Sequence, residues 1–339
     1  MVKPQQFPAL HRSAGPAPLR HPGSIRRTTS IDSVWPEGHG NPWVMTGVAR
    51  DLWTPFAGSP RELASGSFRI VTSTRREIME IDVSPEHPGG AAMVGVRAGG
   101  ASRGQLTELL GDITGTPLFQ ILDDFAGASL VANWVWARWP QLGAIKAANT
   151  ELQTTAGRQG TMVDVCTGFA RGASSLNEDE TVNTSDQAVA QVEPLANPDD
   201  PIGWHAMPAH EGLYARRARR IDLWREDGLI RVDSGFQDSG AAADQPRTAI
   251  HEYRVYAEIE ETSGTLVSIQ ALPLILPFRE CPGASMKIGR LVGKNVSEFR
   301  TTVPVELAST LGCTHLNDVA RALADVPALA RQLPNDDGG

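Results

Sequence analysis

Cysteine is nearly missing from this chain. Cys166, Cys281 and Cys313 are the only three in 339 residues. Three cannot build a disulfide framework, and an odd, sparse count suits a reducing, cytoplasmic setting. No apolar run approaches the ~20 residues of a membrane helix. The longest candidate, Phe125 to Trp139, is too short and carries Asn133 and Arg138. The N-terminal stretch, residues 1–23, has basic groups but no apolar signal core, so it reads as a flexible arm rich in Pro, Ala and His. Positive net charge is also missing. The formal charge of -8 disfavours nucleic acid and anionic membranes as partners. There is no glycine-rich phosphate loop, dinucleotide fingerprint or nucleophile elbow. The reading therefore expects no cofactor.

What is present is enough apolar sequence for a core, 41% hydrophobic against 21% charged, and an internal duplication. Arg26-Arg27-x-x-x-Ile31-Asp32 recurs 190 residues later as Arg216-Arg217-x-x-x-Ile221-Asp222. A strand ending near Asp51 answers one ending near Asp238. Phe68-Arg69-Ile70 answers Tyr253-Arg254-Val255, Ile78 to Pro85 answers Leu266 to Pro273, and Gly115 answers Gly312, each glycine opening a helix. Strict alternation in His251 to Ile259, and the Asp227-Gly228 turn between Ile221–Arg225 and Leu229–Val232, predict consecutive antiparallel strands. Stripes at three- and four-residue spacing predict a helix through Leu316, Val319, Leu323 and Val326, with a counterpart through Leu118, Ile121, Leu122, Phe125 and Ala132.

The fold class is thus α+β, as two tandem related modules, each an antiparallel β-meander covered by helices on one face. The expected boundaries are an arm at 1–23, a first module at 24–150, a connecting segment at 151–212 with a mobile loop at 174–201, a second module at 213–331 and a flexible tail at 332–339. Met162 to Phe169 reads as a short buried strand. The basic clusters Arg26-Arg27 and Arg216 to Arg220 precede predicted strands and read as solvated edges. Of Asp123 and Asp124, one is expected to face solvent, because adjacent helical positions diverge by about 100°.

Several side chains could carry chemistry. In Gly312-Cys313-Thr314-His315, the glycine permits a sharp turn, and the next residues stand at a helix start, where a thiolate or bound anion is favoured. Cys313 and His315 could be nucleophile and base, or capping residues. Cys281, Cys313 and His315, with Asp238, could instead hold a metal. Alternation puts His251 and Tyr253 on one strand face as an acid/base pair. Trp134, Trp136, Trp204 and Tyr214 could line a pocket for a flat apolar ligand, or be ordinary core. His205 and His210 flank the entry to the second module. Cys166 reads as inert core.

The Arg216–Asp222 entry, Asp227-Gly228-Leu229, Asp238, His251-Glu252, Glu280-Cys281-Pro282 and Gly312 to Leu316 together resemble a bacterial family catalogued as domain of unknown function 2889. That resemblance covers roughly Leu213 to Leu329 and implies no activity. The placing of Cys281 after a strand and Cys313 before the last helix is also similar to NifU-type iron–sulfur scaffold proteins, although this chain offers Asp238 where a third scaffold cysteine would stand.

The expected function is a cofactor-independent lyase or isomerase. His251, Tyr253, His315 and Asp238 would run acid/base chemistry on a small apolar, aromatic catabolite. Retro-aldol release of an aldehyde is one concrete version. The alternatives are a metal-binding protein, or a non-catalytic binding or assembly module. A small-molecule substrate is the expected partner, and a homo-oligomer stays open.

Overall fold

The computed structural model describes residues 4–139, 162–183 and 187–334. The end of the expected first module and the start of the connecting segment, 140–161, lie outside them. So do residues 1–3 of the arm, 184–186 of the expected loop and 335–339 of the tail.

The first meander is β1 (Ser24–Val34), β2 (Trp43–Thr54), β3 (Arg61–Thr72) and β4 (Ile78–Ser84). Helices α1 (Pro88–Ala92), α2 (Gly100–Leu110), α3 (Pro117–Ala132) and α4 (Trp134–Arg138) follow it. A two-residue strand, β5 (Ala190–Gln191), precedes the second meander. That meander is β6 (Tyr214–Glu226), β7 (Leu229–Ala241), β8 (Thr248–Glu260) and β9 (Leu266–Ile275). A long 3-10 stretch (Cys281–Leu291) leads to α5 (Phe299–Glu306), α6 (Thr314–Ala322) and α7 (Val326–Ala330). The fold is α+β, with antiparallel meanders and helices in the expected order.

The two meanders are halves of one sheet, ordered β4-β3-β2-β1-β6-β7-β8, with β9 on β8. The seam is β1 against β6, antiparallel, with Arg26 opposite Asp222 and Arg216 opposite Asp32. The repeated motif is therefore self-complementary. Arg26 grips Asp222 through two bonds of 2.6 and 2.7 Å. Arg216 grips Asp32 through two of 2.6 Å. Each copy's first arginine binds the other copy's aspartate in the planar, two-bond geometry that favours Arg over Lys.

The second arginine turns to the other face and grips an aspartate of its own module. Arg27 holds Asp51 at 2.6 and 2.7 Å. Arg217 holds Asp238 at 2.8 and 3.0 Å. This corrects the expectation of solvated edges. These arginines are buried at the centre of the sheet, and a buried charge persists only when paired. The ladder also corrects the repeat alignment. Asp51 faces Ala64 and Asp238 faces His251, each beside a one-residue bulge. Ala64 is thus the counterpart of His251, and Gly66 that of Tyr253.

Helices cover one face. Leu316, Val319, Leu323 and Val326 close the second core with Ile221, Leu223 and Tyr253. Leu118, Ile121, Leu122 and Phe125 close the first. Between them runs a continuous ion network. Asp51, Arg27, Asp325, Arg300 and Asp123 are linked in turn, then Asp123 to Arg321 and Arg103, and Arg103 through Asp318 and Arg217 to Asp238. Five arginines meet five aspartates. Asp124 pairs with Arg219 beside them. Both Asp123 and Asp124 are buried, so neither faces solvent as expected.

The opposite face carries the arm and the later part of the connecting segment. Ser13 and the Ala14 amide donate to Glu252, and Arg20 binds Asp200. His205 lies between Thr28 and Ser30, and β5 pairs with β8. The expected strand at Met162 to Phe169 is instead a set of turns ending in a 3-10 turn, Thr167–Phe169. No helix among the described residues is long and apolar enough to cross a membrane.

Candidate functional site

The ion network ends at two histidines. Asp238 and His251 face each other across the β7–β8 ladder. His315 enters as the second residue of α6, one past the Cys313 cap and Thr314. The turn before it is tight: a side chain at Gly312 would meet the Leu307 carbonyl oxygen at 2.3 Å, which is why glycine stands there. Thr167 clamps the same turn. Its amide and hydroxyl donate to the Gly312 carbonyl at 2.8 and 2.9 Å.

The His251 and His315 rings stack, centroids 3.4 Å apart and planes 19° from parallel. Both face one carboxylate oxygen. Asp238 Oδ2 lies 3.4 Å from His251 Nδ1 and 3.6 Å from His315 Nε2. His315 Nδ1 has the Thr314 hydroxyl at 3.4 Å and the Cys313 thiol at 3.8 Å. A carboxylate beside Nδ1 of His251 favours the tautomer protonated there, leaving Nε2 with the lone pair.

The charges follow from burial. Burial lowers the pKa of His251, against the pull of Asp238. Burial and then the neighbouring His251 hold His315 well below the ordinary range. Burial alone would raise Asp238, but Arg217, with both histidines, holds it well below the usual carboxylate range. The cluster at neutral pH is thus two neutral imidazoles on an ionised carboxylate, itself neutralised by an arginine.

Both rings line a cavity of about 260 Å³, otherwise largely apolar, with Trp134, Phe169, Phe278 and Leu130 among its walls. All three cysteines line it too. Burial pushes Cys166 up to about 12 and raises Cys281 and Cys313. The expected thiolate at Cys313 is therefore not the resting form. The nearness of Cys281 and Cys313 was expected, but that of Cys166, read as inert core, was not.

Of the expected site residues, the structure brings together His251, His315 and Asp238, with Trp134 on the cavity wall. Tyr253 shares the strand face of His251 but lies beneath, fully buried in the core. Trp136 packs on Trp35 with ring centroids 5.5 Å apart. Trp204 joins Ala17 and Ala218 on the opposite face, and Tyr214 stacks near His210 there. His210 binds Asp32 at 2.8 Å. Sequence reasoning missed Arg217, Asp318 and Thr167. Only the repeated second arginine of the motif was a usable signal.

Among the described residues, the first module has no such cluster. Ala64 replaces His251, Thr116 caps α3 where Cys313 caps α6, and Leu118 stands at the helix position of His315. A side chain at Gly66 would meet the Leu118 backbone nitrogen at 2.7 Å. Apolar packing fills the equivalent space.

Residues 215–329 match the model of a family described as protein of unknown function (DUF2889). The match spans the second meander, its helices and every member of the histidine cluster. No curated protein and no solved structure matches the chain.

Proposed function

We propose that the protein is a lyase or isomerase in which His251 and His315, held on Asp238, transfer protons to and from a small apolar, aromatic molecule in the 260 Å³ cavity. One observation carries this reading: two stacked imidazoles share one carboxylate oxygen at the wall of a largely apolar cavity. A neutral imidazole is a competent base near pH 7, and the imidazolium formed when it takes a proton is stabilised by Asp238. The imidazolium so formed then returns its proton to the departing carbon. Such a cycle suits a retro-aldol cleavage, in which a hydroxyl proton is removed, a carbon–carbon bond breaks to an aldehyde, and the carbanion is reprotonated.

The test is a screen of small aromatic alcohols and ketones for thermal stabilisation. Exchange of ligand C–H for deuterium and release of trapped aldehyde would then be followed in D₂O. Replacing His251 or His315 by Ala should slow exchange or release by roughly 100-fold or more. Exchange unaffected by either change would remove the histidines from the chemistry. Ligand binding with no turnover in the wild type would favour the non-catalytic reading.

A metal reading has its own observation. Among the described residues, Asp238, His251 and His315 place one donor atom each within 4.8 Å of one another, and Cys281 is not in that set. The residues fit an ion poorly as they stand. Both Asp238 oxygens already accept from Arg217, and near-parallel rings send their in-plane lone pairs side by side instead of converging. A cation would also meet the Arg217 charge. The likeness to iron–sulfur scaffolds draws support from the cysteines lining one cavity. Metal analysis of purified protein decides both.

A further inference from the structure

We infer that the ligand is an amphipathic aryl carboxylate, its ring in the cavity at the histidines and its carboxylate on Arg76 in an adjoining cationic cavity. This deepens the acid/base reading and rests on it. The second cavity has a volume of about 250 Å³ and shares Leu130 and Thr314 with the first, so the two abut. Its walls include Arg76, Arg103, Arg321 and the start of α2 at Gly99 and Gly100.

Charge accounting singles out Arg76. Arg103 and Arg321 belong to the balanced network and already hold Asp318 and Asp123. Asp318, which also lines the cavity, is neutralised by Arg103 and Arg217. Arg76 is different. It is partly buried, and no carboxylate lies within ion-pair distance of it among the described residues. Burial, and then the neighbouring cation Arg97, weaken its hold on the proton. An unpaired guanidinium on a cavity wall is costly unless an anion completes it. The backbone fixes its place: the Arg76 carbonyl accepts from the Ala98 amide at 2.8 Å, beside the start of α2. That helix start adds a favourable field for an anion. A single planar guanidinium with two free N–H donors matches a carboxylate.

The experiment is calorimetric titration with phenylacetate, 3-phenylpropionate and 4-phenylbutyrate, each against its uncharged amide. The series brackets the spacing between the two cavities. At least one acid should bind tenfold or more tightly than its amide. Arg76→Gln should abolish that difference while leaving the affinity for the amide unchanged. Equal affinity of acids and amides would overturn the carboxylate assignment and leave the histidine chemistry standing. A preference for acids that survives Arg76→Gln would overturn the role of Arg76. Failure of both acids and amides to bind would overturn the cavity as a ligand site altogether. Tight, Arg76-dependent binding without proton exchange would instead uphold this inference while the acid/base reading fails.

Discussion

At the scale of the residue, Arg217 holds the site together. It donates to both oxygens of Asp238 and to Asp318, so its loss would strand the Asp238 carboxylate in a buried setting and leave Asp318 to Arg103 alone. Removing one partner of a buried pair typically costs about 3–5 kcal/mol. Arg217→Met should therefore lower the melting temperature sharply, and Arg217→Met with Asp238→Leu should recover part of the loss. A single substitution that leaves melting unchanged would show that these charges are solvated. The residues of the site were legible from sequence to an uneven degree. His251, His315 and Asp238 were visible as reactive types with no local structural role. Their grouping was expected, but its geometry was not legible, because that depends on a ladder register that places Asp238 opposite His251 and on a helix start arriving from 64 residues downstream. Trp136 and Trp204 misled for the opposite reason: aromatic rings serve core and pocket alike, and their number does not say which.

At the scale of the element, strands and helices followed closely from alternation and spacing, and the misread pieces share a cause. The arginine clusters read as edges because a charged run inside a strand conflicts with burial. Aspartates supplied by the other copy across β1–β6, and by Asp51, Asp238 and Asp124, resolve that conflict. Met162 to Phe169 read as a strand because of its apolar run, but only Cys166 and Phe169 pack inward, from turns, while Val165 is exposed. The α6 turn carries a sharper consequence. A methyl at Gly312 would press on the Leu307 carbonyl, a backbone atom with little room to retreat. Gly312→Ala should cost roughly 1–3 kcal/mol, the usual range for overpacking. It should also lower turnover more than the stability loss explains, since the turn carries His315. Equal turnover per folded molecule would show that the helix start adapts without moving the ring.

At the scale of the whole molecule, one sheet and one ion network make the two modules a single body, and burial of neutral histidines links its stability to pH. His205 is held between the Thr28 and Ser30 hydroxyls at 2.9 and 2.8 Å. Burial, with Arg50 and Arg216 nearby, lowers its pKa to about 3. His251 and His315 are lowered as well. A histidine in the unfolded chain takes a proton near pH 6.5. Below that value the unfolded state binds protons the folded state refuses, so stability falls as pH falls. The slope is about 1.4 kcal/mol per pH unit for each excluded proton, or roughly 2 kcal/mol for His205 between pH 6.5 and 5. For His205 the loss continues to about pH 3. Asp32, Asp238 and Asp318 have lowered pKa values, Asp318 to about 2. Their contribution is present above the ordinary carboxylate value near 3.9 and is lost only below it. Acid should therefore weaken the fold in two stages, histidines first and carboxylates second. Urea unfolding at pH 7.5, 6 and 5, at constant ionic strength, should show stability falling steadily below 6.5. His205→Asn should reduce the slope by about one proton's worth. A flat profile between pH 7 and 5 would mean that the three rings are free to charge in the folded state, and the neutral imidazole pair required for proton transfer would lose its basis.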